Sequence, residues 1–162
     1  MAKHRMSRVS GGFLIGLLAG CATAAVGQAT FIEEGKSLTQ GKVITAKDAP
    51  IRYAPNGKAE VALYATGREA FVGVLAMAPG AGVPMHRDPT EEFIYIMEGG
   101  GTITIDGEQF DAQAGNVIYM PAGSEVQFAN GPRPLKALQI FANPGPETKY
   151  DAWSSEPTGP TP

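Results

Sequence analysis

A chain of 162 residues has room for one compact domain with short extensions. Its hydrophobic share of 43 % is enough to build a core and excludes disorder throughout, while a formal net charge of -3 gives no electrostatic footprint for phosphate backbones or anionic lipid surfaces. Nucleic acid is therefore not an expected partner. The 21 Gly and 13 Pro, scattered between short apolar runs, suit a protein of many strands and turns better than a helical one.

The first 20 residues carry Lys3, Arg5 and Arg8 and no acid, followed by an apolar run from Gly11 to Leu18 that is too short to span a bilayer, which takes about 20 residues. This is the pattern of an export signal. Leu18-Ala19-Gly20-Cys21 then resembles the lipobox of bacterial lipoproteins, which implies cleavage before Cys21 and a diacylglycerol on its sulfur. Cleavage there takes the formal charge from -3 to -6. Cys21 is the only cysteine, so an intramolecular disulfide and a thiolate metal site are both ruled out, and lipidation gives that residue a reason to exist. Ala22 beside Cys21 resembles the outer-membrane class of lipoproteins, which implies a lipid-anchored protein on the periplasmic side of that membrane. The alternative is an ordinary secretory peptide cut near Ala29, releasing a soluble secreted or periplasmic protein. The expected organisation is a signal peptide over 1–20, a lipidated cysteine and tether over 21–39, a barrel over 40–142 and a Pro/Gly-rich tail over 143–162.

Along the central segment, strand-length apolar runs recur: Val61–Tyr64, Phe71–Met77, Phe93–Met97, Thr102–Ile105, Val117–Met120, Val126–Phe128 and Leu135–Phe141. Turn residues separate them, among them Pro79-Gly80-Ala81-Gly82, Gly99-Gly100-Gly101, Asp106-Gly107 and Pro121-Ala122-Gly123. Asp106-Gly107 is the strongest signal, since a two-residue hairpin turn needs positive φ at both central positions. No stretch carries a helical period long enough for a crossover, so the sheet is antiparallel, in a sandwich or barrel. Phe93-Ile94-Tyr95-Ile96-Met97 is apolar on both faces; its outer face calls for a cover, either a homodimer interface or the residues around Val43-Ile44. In the tail, proline is too dense for a sheet or regular helix, and Tyr150 and Trp153 are expected to dock on the barrel.

Gly80, five residues, His86-Arg87-Asp88, three residues, Glu92, six residues and Gly99 form a pattern that resembles the first cupin motif, with Asp88 where a second histidine belongs. Gly115, five residues, Pro121-Ala122-Gly123, two residues, Val126, three residues and Asn130 resemble the second, with Val126 in place of its histidine. The resemblance covers about residues 70–141 and implies an all-β, cupin-type antiparallel double-stranded β-helix, or jelly-roll barrel. In the family, three histidines and a glutamate converge on a divalent metal. Here the histidines number two, His4 and His86, so a three-histidine site within one chain is excluded by counting.

What the resemblance leaves is a set of His86, Asp88 and Glu92, with 86 and 88 on one face of an extended strand. Such a set is either a weak site for one divalent metal (Mn, Fe or Zn), or a metal-free polar cluster at the barrel mouth with Val126 extending the apolar wall. Tyr119, Val126 and Phe128 are candidate pocket residues, although Met77, Tyr119, Phe128 and Phe141 fit a core role more readily. Glu91 and Arg87 alternate with the inward positions and are expected to face solvent. Two functional classes follow: a membrane-anchored binding module for a small polar or acid-bearing molecule or a partner, without redox chemistry, or a divalent-metal-dependent lyase, isomerase or oxygenase with Glu92 as the proton-transfer group. No Ser-His-Asp or Cys-His nucleophile system is indicated.

Overall fold

The computed structural model describes residues 37–159, so the signal segment, Cys21 and most of the tether lie outside the described residues. Ten strands follow in chain order: β1 (Ile51–Tyr53), β2 (Ala59–Thr66), β3 (Ala70–Met77), β4 (Gly82–His86), β5 (Glu91–Glu98), β6 (Gly100–Ile105), β7 (Glu108–Gln113), β8 (Val117–Met120), β9 (Val126–Asn130) and β10 (Leu135–Ala142). They form two antiparallel sheets. One has the order β1-β2-β3-β10-β5-β8 and the other β4-β9-β6-β7, and the pair makes a jelly roll as expected.

All seven expected strands are present; β1, β4 and β7 are additional. Each of these three departs from the pattern that reveals a strand. β1 is only three residues long, and β4 contains Pro84 and begins at Gly82. β7 pairs only with β6 at the edge of its sheet, so a single residue, Ala112, needs to be buried and the rest of its sequence is polar or exposed.

Alternation places the core. On β10, Leu135, Ala137, Gln139 and Phe141 are buried while their neighbours are not, and on β3 Phe71, Gly73, Leu75 and Met77 do the same. β5 turns Glu92 and Ile96 inward and leaves Phe93, Tyr95 and Met97 partly exposed. Across the β5–β8 pairing Phe93 stands opposite Tyr119, their rings 5.1 Å apart, on that same outer face. Tyr119 is thus neither core nor pocket. It alternates with the inward Ile118 and Met120, and its hydroxyl donates to Glu91 over 2.7 Å. Val43, one of the two residues expected as a cover, is itself 89 % exposed, and Phe93, Tyr95 and Met97 stay open on this face.

Two turns bear on the frame. Asp106 and Gly107 both have positive φ, 49° and 85°, as the β6–β7 hairpin demands. Gly99 has φ 77°, and a Cβ there would lie 2.2 Å from the Pro134 carbonyl oxygen, so neither the backbone nor the space admits a side chain. Asn130, the last residue of the second sequence pattern, donates from Nδ2 to the carbonyls of Ala78 and Arg133 and ties two loops to the end of β9.

The ends are more structured than their composition suggests. Leu38 N–H donates to the Thr66 carbonyl, pinning the last tether residues to the β2–β3 turn. The tail forms a 3₁₀ helix over Pro146–Ala152; Pro146 opens it, where its missing N–H costs nothing. Tyr150 is buried against Phe71 and in edge contact with Trp153, and Ser154 then pairs with Tyr53 of β1. The expected docking of Tyr150 and Trp153 is what fixes this segment.

Replacing Gly99 by Ala is expected to destabilise the protein by about 3 kcal/mol or more, because both backbone and neighbour would have to move. Urea unfolding of the full chain checks this; a loss below about 1 kcal/mol would show that the β5–β6 turn has slack.

Candidate functional site

Between the sheets lies a cavity of about 450 Å³, within the range that holds small molecules. Its walls are the inward side chains of both sheets, including Leu75, Met77, Ile96, Ile103, Ile118 and Phe128. One end is different. There His86, Asp88, Glu92, Gln139 and Lys149 line the same space, with Tyr150 and Trp153 contributed by the tail.

His86 reaches the cavity through an irregularity in β4. Val83 pairs with Phe128 and His86 with Val126, so three steps on β4 oppose two on β9, and the bulge lets Val83 and His86 both face inward despite their odd separation. Asp88 lies beyond the strand, correcting the expectation that 86 and 88 share one extended face. It is placed by the loop after β4, which is tied to the other motif: Gly123 N–H donates to the Asp88 carbonyl, and Arg87 donates to the Gly123 carbonyl and to Glu125. Arg87 is exposed as expected, yet it lines the cavity mouth and braces this loop.

Glu92 lies on the inner face of β5 and is 4 % exposed. Its Oε1 accepts from Gln139 Nε2 over 2.5 Å, and the Gln139 side-chain oxygen accepts from the Tyr150 hydroxyl over 2.7 Å, so these three buried polar side chains are joined in one hydrogen-bonded row. Burial pushes the Glu92 carboxyl up from 4.5 to about 7, against the opposing pull of the Gln139 hydrogen bond and the Lys149 charge. Burial also raises the Tyr150 hydroxyl.

Asp88 behaves oppositely. Its burial works to raise it, but its contacts with His86 and Lys149, with the Lys149 charge added, outweigh burial and hold it below the usual carboxylate value. Lys149 Nζ sits 2.9 Å from Asp88 Oδ2, while His86 Nε2 is 3.6 Å from the same oxygen, a charge contact too long for a good hydrogen bond. His86 is raised, first by Asp88, against its own partial burial; its Nδ1, 3.0 Å from the Pro84 carbonyl, adds to the rise. Lys149 also lies 4.8 Å from the Phe141 ring centroid, a cation–π contact.

The structure therefore brings His86, Asp88 and Glu92 to one end of one cavity, with Val126 and Phe128 in its wall. Sequence reasoning missed Gln139 and Lys149. Gln139 had a signal, a polar residue at an inward position of an otherwise apolar alternating strand. Lys149 had none, since nothing in a Pro/Gly-rich tail says that its one lysine reaches a site 61 positions earlier in the chain.

Residues 73–141 match the cupin domain family. Over that stretch the barrel is similar to cupin domains, and its two-sheet jelly roll is the fold they share. Among curated proteins, the chain is 33 % identical over 79 residues to dimethylsulfoniopropionate lyase DddW of Ruegeria pomeroyi, covering 49 % of this chain and 52 % of the lyase. The chain spans about half the length, or less, of the curated relatives it matches. Among solved structures, an RmlC-like cupin of Shewanella frigidimarina superposes with a TM-score of 0.60 at 15 % identity, over 68 % of this chain and 99 % of that one. A predicted oxalate decarboxylase of Thermotoga maritima gives 0.58 at 20 % identity, over 64 % and 100 %. At these identities the structural likeness is one of fold.

Cupins commonly hold a divalent metal inside the barrel, and the residues present here do not fit one. Val126, an apolar residue, stands opposite His86 in the β4–β9 register, and the Glu92 oxygen nearest Gln139 is engaged by an amide. Asp88 already has an ammonium against it. Among the described residues no three His, Cys, Asp or Glu side chains converge as a metal-binding group, so the expected His86, Asp88 and Glu92 set shares a cavity end without forming a ligand cage.

The raised Glu92 carboxyl has a consequence for stability. Folding holds a proton on Glu92 that the unfolded chain has released above pH 4.5, so this contribution is present at low pH and is lost as pH rises through about 7. Relative to Glu92→Gln, the wild type is expected to lose stability on the order of 3 kcal/mol between pH 5 and pH 8, read from urea unfolding at each pH. Parallel profiles for the two proteins would mean that Glu92 is ionised throughout.

Proposed function

We propose that this chain is an exported, lipid-anchored cupin whose barrel binds a small carboxylate-bearing molecule with an apolar body. The observation that carries the reading is the cavity: apolar walls of ligand size closed at one end by a charged group of residues. Its charged lining is Lys58, Arg87 and Lys149 with His86, against Asp88 and a Glu92 that titrates near neutrality. Arg87 is paired to Glu125 and Lys149 to Asp88, so the further positive charge on the lining is that of Lys58, with His86, in a chain that is acidic as a whole. An acid group set against this end, with its hydrocarbon along Leu75, Ile96, Ile118 and Phe128, satisfies both halves of the cavity. The anchor rests on Lys3, Arg5, Arg8, the apolar run and Leu18-Ala19-Gly20-Cys21. Mass spectrometry of the membrane fraction tests it, with a diacylglyceryl group on an N-terminal Cys21 as the expected result and an unlipidated mature N-terminus as the contrary one.

The binding test is a thermal-shift and calorimetric comparison of linear and aromatic monocarboxylates of four to nine carbons with the matching alcohols. The acids are expected to raise Tm and bind at least tenfold more tightly than the alcohols, and Val126→Phe, which fills the cavity, is expected to abolish the shift. Equal binding of acids and alcohols, or binding unaffected by Val126→Phe, would overturn the reading.

One observation favours a second reading, an enzyme. Glu92 is a carboxyl facing the cavity with a proton affinity near working pH, as a general acid or base needs, and the 33 % identical relative is a lyase. In that reading Glu92 moves the proton and the cationic end holds the substrate carboxylate. Turnover of dimethylsulfoniopropionate or a related carboxylate, lost in Glu92→Gln with binding retained, is the outcome that would put this reading first.

A further inference from the structure

We infer that Lys149 is the resident cation of this barrel: its ammonium takes over the charge compensation that a divalent metal gives in other cupins, and it keeps such metals out. The residue comes from the tail, outside the segment that matches the family, and the 3₁₀ helix over Pro146–Ala152 carries it to the cavity end.

Three observations place it there by construction. Tyr150, the next residue, is buried against Phe71 and hydrogen-bonded to Gln139, which fixes the helix at that point. The ammonium lies over the face of Phe141, whose side chain is fully buried, and this contact favours a cation at the end of the aliphatic stem. The nitrogen then stands 2.9 Å from Asp88 Oδ2, a carboxylate whose side chain is only 16 % exposed and which also meets His86. A half-buried carboxylate is stabilised by a counter-charge, and here the chain supplies one covalently.

The rest of the altered motif agrees with this. With an ammonium against Asp88, a second cation at the same oxygens is repelled, so a histidine at position 126 would gain nothing, and the position opposite His86 is free to be an apolar wall residue. Val126 and Lys149 then act on the same end of the cavity, one as apolar wall and the other as cation. The inference does not depend on which small molecule the cavity takes, and it stands or falls separately from the binding test above.

The test restores the missing ligand with and without the internal cation. The full chain is prepared as wild type, Val126→His, Lys149→Met and the double variant, incubated with Mn²⁺ or Zn²⁺, desalted and analysed for metal. Wild type and Val126→His are expected to retain less than about 0.1 metal per chain, and the double variant close to about one. Stoichiometric metal in wild type or in Val126→His alone overturns the inference, as does a folded double variant that binds none. If Lys149→Met is too unstable to purify, the wild type still decides: the NMR signal of the Lys149 side chain should survive equimolar Mn²⁺, and its paramagnetic broadening would show that the metal enters the site despite the lysine.

Discussion

The constraint on which the site depends is charge compensation in a closed space. Glu92 is buried and Asp88 half-buried at the end of an apolar cavity, where a carboxylate left charged and unpartnered costs stability. The two acids are handled differently. Glu92 is far inside, meets an amide and keeps its proton up to about pH 7; Asp88 is nearer the mouth, meets an ammonium and an imidazole, and stays charged. Carboxyls with opposite ionisation preferences give the cavity end both a hydrogen-bond donor and a fixed negative charge.

That arrangement reaches outward through the molecule. The Glu92–Gln139–Tyr150 chain links β5, β10 and the tail, so the segment that delivers Lys149 is held by the same hydrogen bonds that satisfy Glu92. Tyr150 also packs into a buried apolar cluster with Val61, Phe71 and Phe141. The tail is consequently a wall of the site as well as an end of the chain, and the barrel's function cannot be assigned from residues 73–141 alone.

The loop between β4 and β5 has the complementary role. A β4 bulge aims His86, Arg87 crosses to Gly123 and Glu125, and the Gly123 amide returns to Asp88, so the two motif segments are fastened to each other next to the site. Hydrogen bonds between loops from opposite parts of the sequence give the cavity mouth a defined geometry even though its side chains are partly exposed.

The resemblance to the cupin motifs, carried by Gly80, His86, Glu92, Gly99, Gly115 and Asn130, implied the jelly roll and the inward direction of Glu92, and from the sequence itself came the seven apolar strands and the Asp106-Gly107 turn. These are local properties, because strand alternation and positive-φ turns act between near neighbours. Tertiary structure decided the rest. Tyr119 is exposed because the alternation of β8 is anchored by Ile118 and Met120, and the polar β7 is a strand because β6 supplies its ladder. Lys149 sits at Asp88 because a docked tyrosine brings it there, across 61 positions of sequence. Long-range placement of a single charged side chain leaves no periodicity to read; it exists only once the tail has packed against the barrel.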